Sequence, residues 1–252
     1  MRILALDTSG LVAGVALLED DCLLAEYNIC YKKTHSQTLL PMLEEVRKML
    51  ELNLSTIDGI AIASGPGSFT GLRIGSATAK GLGLALGKPL IEVPTLEGLA
   101  YNMYGTEGLV CPIMDARRNQ VYTGIYRFEK EGTGFLLNCV VEQCAEDINE
   151  LLQKLNELGE PVVFLGDGVP VFKDRIAEAL KTEYSFAPAG KNRQSAGSVA
   201  ALGAVYFSQG KTVTPEEHAP EYLRKSQAER EREEAQKAGE EAMKALAEGK
   251  TC

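Results

Sequence analysis

Two aspartates in this chain stand where a carboxylate could do chemistry. Asp7 ends the apolar run at 3–6 and Asp115 ends the run at 109–114, each followed by a polar turn. A carboxylate beside a hydroxyl-rich turn, at the C-terminal end of a strand that faces a cleft, can hold a nucleotide-bound metal. The plainer role is to accept hydrogen bonds from the N–H groups of its own turn. Asp115 fits the plainer role, because Arg117 and Arg118 follow it in place of residues small enough to admit a phosphate. Asp7, followed by Thr8, Ser9 and Gly10, stays open between the two.

The run Ser64-Gly65-Pro66-Gly67-Ser68-Phe69-Thr70-Gly71 leads from a strand into a helix. A helix N-terminus can cradle an anion through its free N–H groups and its dipole. This run fits neither G-x-G-x-x-G, because Thr70 stands at the last glycine position, nor a P-loop, because no Gly-Lys-Ser/Thr follows. A turn that brings the helix close to the sheet accounts for it equally well. Other catalytic machinery is scarce. The two histidines, His35 and His218, form no metal-holding pair on a helix, and no G-x-S-x-G elbow is present. His35, just ahead of a helix, reads as a capping or docking residue, and His218, between Glu217 and Pro220, as a surface residue. The six cysteines (Cys22, Cys30, Cys111, Cys139, Cys144 and Cys252) contain no C-x-x-C pair, so no metal site is expected of them.

Elements of a soluble α/β protein must position these groups. The 252 residues are 45% hydrophobic and 24% charged, enough to bury one large core or two smaller ones. No apolar run reaches the roughly 20 residues of a membrane span. The start, Met1 to Asp7, meets a carboxylate before a signal-peptide core could form, so a cytoplasmic protein is expected. The formal charge of −9 disfavours autonomous binding to RNA or DNA, which would repel it unless a basic partner carried the contact.

Apolar runs and turn residues predict strands at 3–6, 12–18, 23–30, 57–63 and 89–93, with helices at 36–51, 70–86 and 95–103. Strands at 109–114, 121–128, 135–142 and 162–165 follow, with helices at 146–158, 171–180 and 196–208. Both halves read strand, Asp-turn, strand, strand, helix, strand, Gly-loop, helix. That is an internal duplication of an α/β unit with a mixed sheet in each half. The expected division is 1–104, 105–212, with the last helix packing back on the first half, and a C-terminal segment at 213–252. Residues 225–252, rich in Glu, Lys, Arg and Ala, read as a peripheral charged tail.

The helices at 36–51 and 70–86 carry more apolar surface than one contact stripe needs. Gly71, Gly75, Ala79, Gly83 and Gly87 recur every four residues along one ridge of the second helix, which would let a neighbouring backbone approach. The wheel around it is small or apolar except for a sector with Arg73, Ser76 and Lys80. Leu39, Leu40, Met42, Leu43, Val46, Met49 and Leu50 span about half the wheel of the first helix. Mutual packing of the helices is one account. A two-helix docking face for a partner is the sharper one.

The run from Gly65 to Gly75, together with Ile3 to Ser9, His35-Ser36-Gln37, Asp115-Ala116-Arg117-Arg118 and Pro220-Glu221-Tyr222-Leu223-Arg224, resembles the TsaB (YeaZ) family over about residues 1–225. The resemblance implies an actin/Hsp70/sugar-kinase-like fold of two domains, related to the catalytic subunit TsaD. It implies a non-catalytic subunit that pairs with TsaD and works with the ATPase TsaE to transfer threonylcarbamoyl to the adenosine beside the tRNA anticodon. TsaD holds its metal with a histidine pair that this chain lacks.

The resemblance puts dimer contacts, with TsaD or with a second copy when alone, on the first two helices. The residues expected there are His35, Leu39, Leu43 and Val46 on the first, and Arg73, Ile74, Ala77, Thr78, Gly81 and Leu82 on the second. Asp7, Thr8, Ser9, Gly67 and Ser68 would be a vestigial nucleotide or anion site. No cofactor is expected for the isolated chain, whereas ATP and a divalent metal are implied for the complex, and tRNA would be met only through it. The alternative is an ATP-dependent phosphotransferase of the same fold using Asp7. A peptidase reading finds no nucleophile–base constellation to support it.

Overall fold

The first strand, β1 (Arg2–Asp7), turns Leu4 and Leu6 to one side of a sheet and Ile3 and Ala5 to the other, and all four are fully buried. Side chains alternate along an extended chain, so a strand with no polar face must be covered on both sides. The structure, a computed structural model, describes residues 1–31 and 33–224. The expected charged tail at 225–252 lies outside the described residues.

An antiparallel meander of β1, β2 (Val12–Glu19) and β3 (Cys22–Cys30) leads into α1 (His35–Met49), β4 (Gly59–Gly65), α2 (Phe69–Leu86) and β5 (Leu90–Pro94). The helical crossovers make β4 and β5 parallel to β1, giving the order β3-β2-β1-β4-β5. A short helix, α3 (Thr95–Ala100), opens the second half. There β6 (Leu109–Asp115), β7 (Gln120–Glu131) and β8 (Gly134–Asp147) form the second meander. Then α4 (Ile148–Leu158), β9 (Val162–Leu165), α5 (Val169–Ala179) and β10 (Tyr184–Phe186) complete the order β10-β9-β6-β7-β8. The two sheets have the same topology. One α/β unit is thus present twice, each copy with a mixed sheet flanked by helices.

Among the described residues, four buried clusters follow from that layering. Leu39, Met42, Leu43 and Val46 of α1 pack with Leu4, Leu6, Val15 and Ile62 on one face of the first sheet. α6 (Ala196–Ser208) covers the other face, laying Ala196, Val199 and Ala200 on Ile3, Ala5 and Ala61. α4 and α5 cover one face of the second sheet and α3 the other.

Boundaries differ from the expectations where a local partner outweighs the pattern. α1 begins at His35, one residue before the expected start, with Thr34 in the cap position and no side-chain cap bond. β8 runs through to Asp147 because Glu146 pairs with Val121, and Asp147 then caps α4 by accepting from Asn149 N at 2.8 Å. The three-residue β10, absent from the expected elements, is too short for a periodic signal. α2 ends at Gly87 in the left-handed region, φ 62°, as the Gly-Lys-Pro signature predicts.

Candidate functional site

Asp7 is buried behind its own turn. Its Oδ1 accepts from Ser9 N at 2.8 Å and from Ser9 Oγ at 2.6 Å. Burial raises its pKa above the ordinary carboxylate value, with the two Ser9 hydrogen bonds pulling the other way. The turn itself is closed against the β4–α2 loop, because Ser68 N donates to the Ser9 carbonyl at 2.7 Å. A Cβ on Gly67 would fall inside that same carbonyl. Ser68 Oγ caps α2 by accepting from Gly71 N at 3.3 Å. The N–H groups of Ser9, Ser68 and Gly71 therefore have protein partners, and the two loops meet between Ser9 and Ser68. The glycines of the loop serve the close approach of helix and sheet.

Beside this contact lies a cleft of about 650 Å³ between the two halves, walled by Ser9, Gly67 and Ser68 on one side and Asp115, Arg117 and Asp167 on the other. Asp115 accepts from Arg117 N at 2.8 Å and pairs with the Arg117 guanidinium at 3.1 Å, the turn-capping role expected of it. Asp167 accepts from Asp115 N at 3.3 Å, and burial is the main cause of its raised pKa. Arg117, Arg118 and Asn119 all stand in the left-handed region, at φ 64°, 57° and 58°. Such a conformation costs a non-glycine residue roughly 1–2 kcal/mol, so the hairpin beside the cleft is strained. Among the described residues, no group of three His, Cys, Asp or Glu side chains gathers to hold a metal ion.

The surroundings of α2 divide into three. Its glycine ridge faces inward: a Cβ on Gly71 or Gly75 would overlap Thr8, and one on Gly83 would lie 2.8 Å from Pro215. The neighbours that this ridge admits, Thr8 and Pro215, belong to the chain itself. The polar sector is covered by residues 213–224, which run back along the helix. Lys80 Nζ donates to the His218 carbonyl at 2.8 Å, Arg73 Nε donates to Tyr222 Oη at 3.3 Å, and Ser76 is buried. The third sector stays outside. Arg73, Ala77 and Gly81 are exposed there, with Leu84 58% exposed, and Ile74, Thr78 and Leu82 are half-buried on its flank towards the core.

On α1 the outcome is different. Leu39, Leu43 and Val46 are 1%, 5% and 5% exposed, so the first sheet takes them into its core and they leave the outer surface. Their spacing is that of a core stripe; Leu40, Pro41 and Met49 are the apolar residues α1 turns outward. His35 is half-buried with Nε2 2.9 Å from the Gly10 carbonyl. Since the carbonyl can only accept, Nε2 carries the hydrogen, and the ring ties α1 to the β1–β2 turn. His218, expected at the surface, is 2% exposed and sits with Nδ1 2.6 Å from Glu92. Its polar neighbours in sequence hide a tertiary partner 126 residues away. Tyr222 and Arg224, quoted only within the family-like motif, prove to wall the cleft. A basic and an aromatic residue after a proline gave no signal of their own.

The family profile described as "TsaD: tRNA N6-adenosine threonylcarbamoyltransferase" matches residues 28–232. The chain is similar to the Bacillus subtilis protein named "tRNA threonylcarbamoyladenosine biosynthesis protein TsaB", 36% identical over 94% of this chain and 100% of the relative. An Escherichia coli protein of the same name is 32% identical over 90% of this chain and 96% of its own length. Among solved structures, YeaZ from Pseudomonas aeruginosa superposes with a TM-score of 0.72 at 27% identity, covering 88% of this chain and 100% of that one.

Proposed function

The chain belongs to the TsaB (YeaZ) family, and so to tRNA threonylcarbamoyladenosine biosynthesis; from that premise we propose that it acts as a non-catalytic subunit that docks on a TsaD-type catalytic subunit and holds it in its competent conformation. The observation that carries the proposal is the outward sector of α2. Ala77, Gly81 and Leu84 form a surface of small and apolar side chains on a well-buried helix, bordered by Arg73 and with Ile74 beside them. A rigid helix face of this kind lets a partner helix approach closely.

Asp7 supports the same reading. Its Oδ1 is held by Ser9 and Asp7 is not among the residues that wall the cleft, whereas a phosphotransferase would need the carboxylate there. The partners proposed are therefore a TsaD-like subunit, which a second copy of this chain replaces when it is alone, and a TsaE-like ATPase. ATP and a divalent metal belong to the complex, tRNA is met through it, and the isolated chain uses no cofactor.

The test is a reconstituted tRNA modification assay with this chain omitted and restored, alongside co-purification with the catalytic subunit. Restoration by wild type and loss of co-purification with Ile74→Arg or Leu82→Arg are expected. Full modification without the chain would overturn the proposal.

A further inference from the structure

The segment at 213–224 runs along the helix that the proposed docking depends on. It begins by pairing with β5, where Leu90 N donates to the Val213 carbonyl and Val213 N to the Leu90 carbonyl, both at 2.9 Å. It passes the side of α2, held by Lys80 at the His218 carbonyl, with His218 set on Glu92. Glu221 N then donates to the Ser64 carbonyl at 2.7 Å, directly before the loop that starts α2. Tyr222 stacks on Phe69 at 4.9 Å between ring centroids and accepts from Arg73, whose guanidinium lies 4.0 Å above the same Phe69 ring.

The segment next crosses to the second half. Gln143 Nε2 of β8 donates to Glu221 Oε2 at 2.6 Å, and Arg224 Nη1 donates to the Ala116 carbonyl at 2.7 Å. Ala116 is the residue before the three left-handed ones, Arg117 to Asn119. One stretch of chain thus grips the start of α2 with Tyr222 and the strained hairpin of the second half with Arg224, two residues apart. The cleft lies between those grips.

We propose that residues 213–224 are a strap that locks the two halves at a fixed opening and thereby sets the orientation of the α2 face, with Tyr222 and Arg224 as positioning residues for docking. The lock stands on the contacts above. Its consequence for the partner rests on the docking reading. A side chain that closes a hinge restricts the free chain before the partner arrives, so that less ordering is left to occur on binding. Tyr222 also fixes Arg73, which borders the outward sector.

The experiment compares Arg224→Ala, Arg224→Lys, Tyr222→Ala and Tyr222→Phe in the full chain. Backbone hydrogen exchange would be followed at residues 114–122 and 66–84, together with the dissociation constant for the catalytic subunit. Arg224→Ala is expected to speed exchange at 114–122 about tenfold, by opening a local unit without global unfolding. Arg224→Lys, which keeps a donor, should recover part of that protection. Tyr222→Ala should speed exchange at 66–84, and Tyr222→Phe, which keeps the stack but not the Arg73 bond, should do so less.

Both alanine variants should weaken the partner several-fold, and Arg224→Ala should do so although it leaves the α2 face itself unaltered. Unchanged exchange in both segments overturns the lock, whatever the partner does. Faster exchange with unchanged affinity overturns its role in positioning. If wild type does not bind the catalytic subunit, the docking reading fails, and with it the positioning role, while exchange still decides the lock.

Discussion

The hydroxyl of Thr8 donates to the Gly71 carbonyl at 2.8 Å, and the backbone of the β1–β2 turn fills the place where a side chain at residue 71 would lie. Gly75 meets the same threonine one helical turn on, with Ile62 on its other side. Gly81, by contrast, has open space around it. Replacing Gly75 by Ala should therefore lower stability by ~1–3 kcal/mol through overpacking. Gly81→Ala should raise it by up to ~1 kcal/mol, because alanine is the better helix former. Urea unfolding of the two variants checks the contrast; equal effects would mean that the ridge is not in contact with Thr8.

Ala77 lies in the middle of the exposed sector of α2. Ala77→Arg should leave the melting temperature unchanged and weaken docking on the catalytic subunit at least ~tenfold, about 1.4 kcal/mol. Leu43→Arg should instead unfold the first half, since it forces a charge into the core. Binding by titration calorimetry together with thermal melts separates the two. An Ala77→Arg chain that binds as tightly as wild type removes α2 from the interface.

Burial holds the Asp7 pKa above its ordinary value of 3.8, so the folded chain binds a proton that the unfolded chain has released. Stability from this group is present below that ordinary value and is lost as pH rises through the folded value. Asp7→Asn keeps an oxygen for Ser9 and removes the charge. It should be more stable than wild type at pH 7, with the difference vanishing towards pH 3.8. It should also leave tRNA modification by the reconstituted system intact. Loss of modification in a folded Asp7→Asn chain would revive the phosphotransferase reading.

Thiol reactivity should follow exposure and thiolate content. Cys22 and Cys30 are exposed on β3. Burial is the main cause that pushes the Cys139 and Cys144 thiols up to about 11, and it pushes fully buried Cys111 up to about 12. Among the five cysteines of the described residues, iodoacetamide at neutral pH should modify Cys22 and Cys30 first and Cys111 last, as read by peptide mass mapping. Early labelling of Cys111 would show that the second half opens readily.

Much of the architecture was legible because it is written in local periodicity. The duplicated order of strands and helices, the aspartate at each strand end and the glycine stop of α2 all come from neighbours in sequence. Which helix residues stay at the surface was half legible. The expected residues on α2 surround its outward sector, whereas Leu39, Leu43 and Val46 belong to the core. An apolar stripe tells how much of a helix is covered; whether a sheet or a partner covers it depends on which faces the rest of the chain reaches.

The amino-acid order alone determined the α/β units, their repetition and the family they resemble, since hydrophobic spacing and turn residues act within a few positions along the chain. Tertiary structure decided what closes on what. It set Ser68 on Ser9, buried His218 against Glu92, and drew Tyr222 and Arg224 across the cleft to Phe69 and Ala116. These contacts join residues 59 to 153 positions apart. They form only once two sheets and their helices have packed, and a one-dimensional pattern carries no record of which distant carbonyl a side chain will meet.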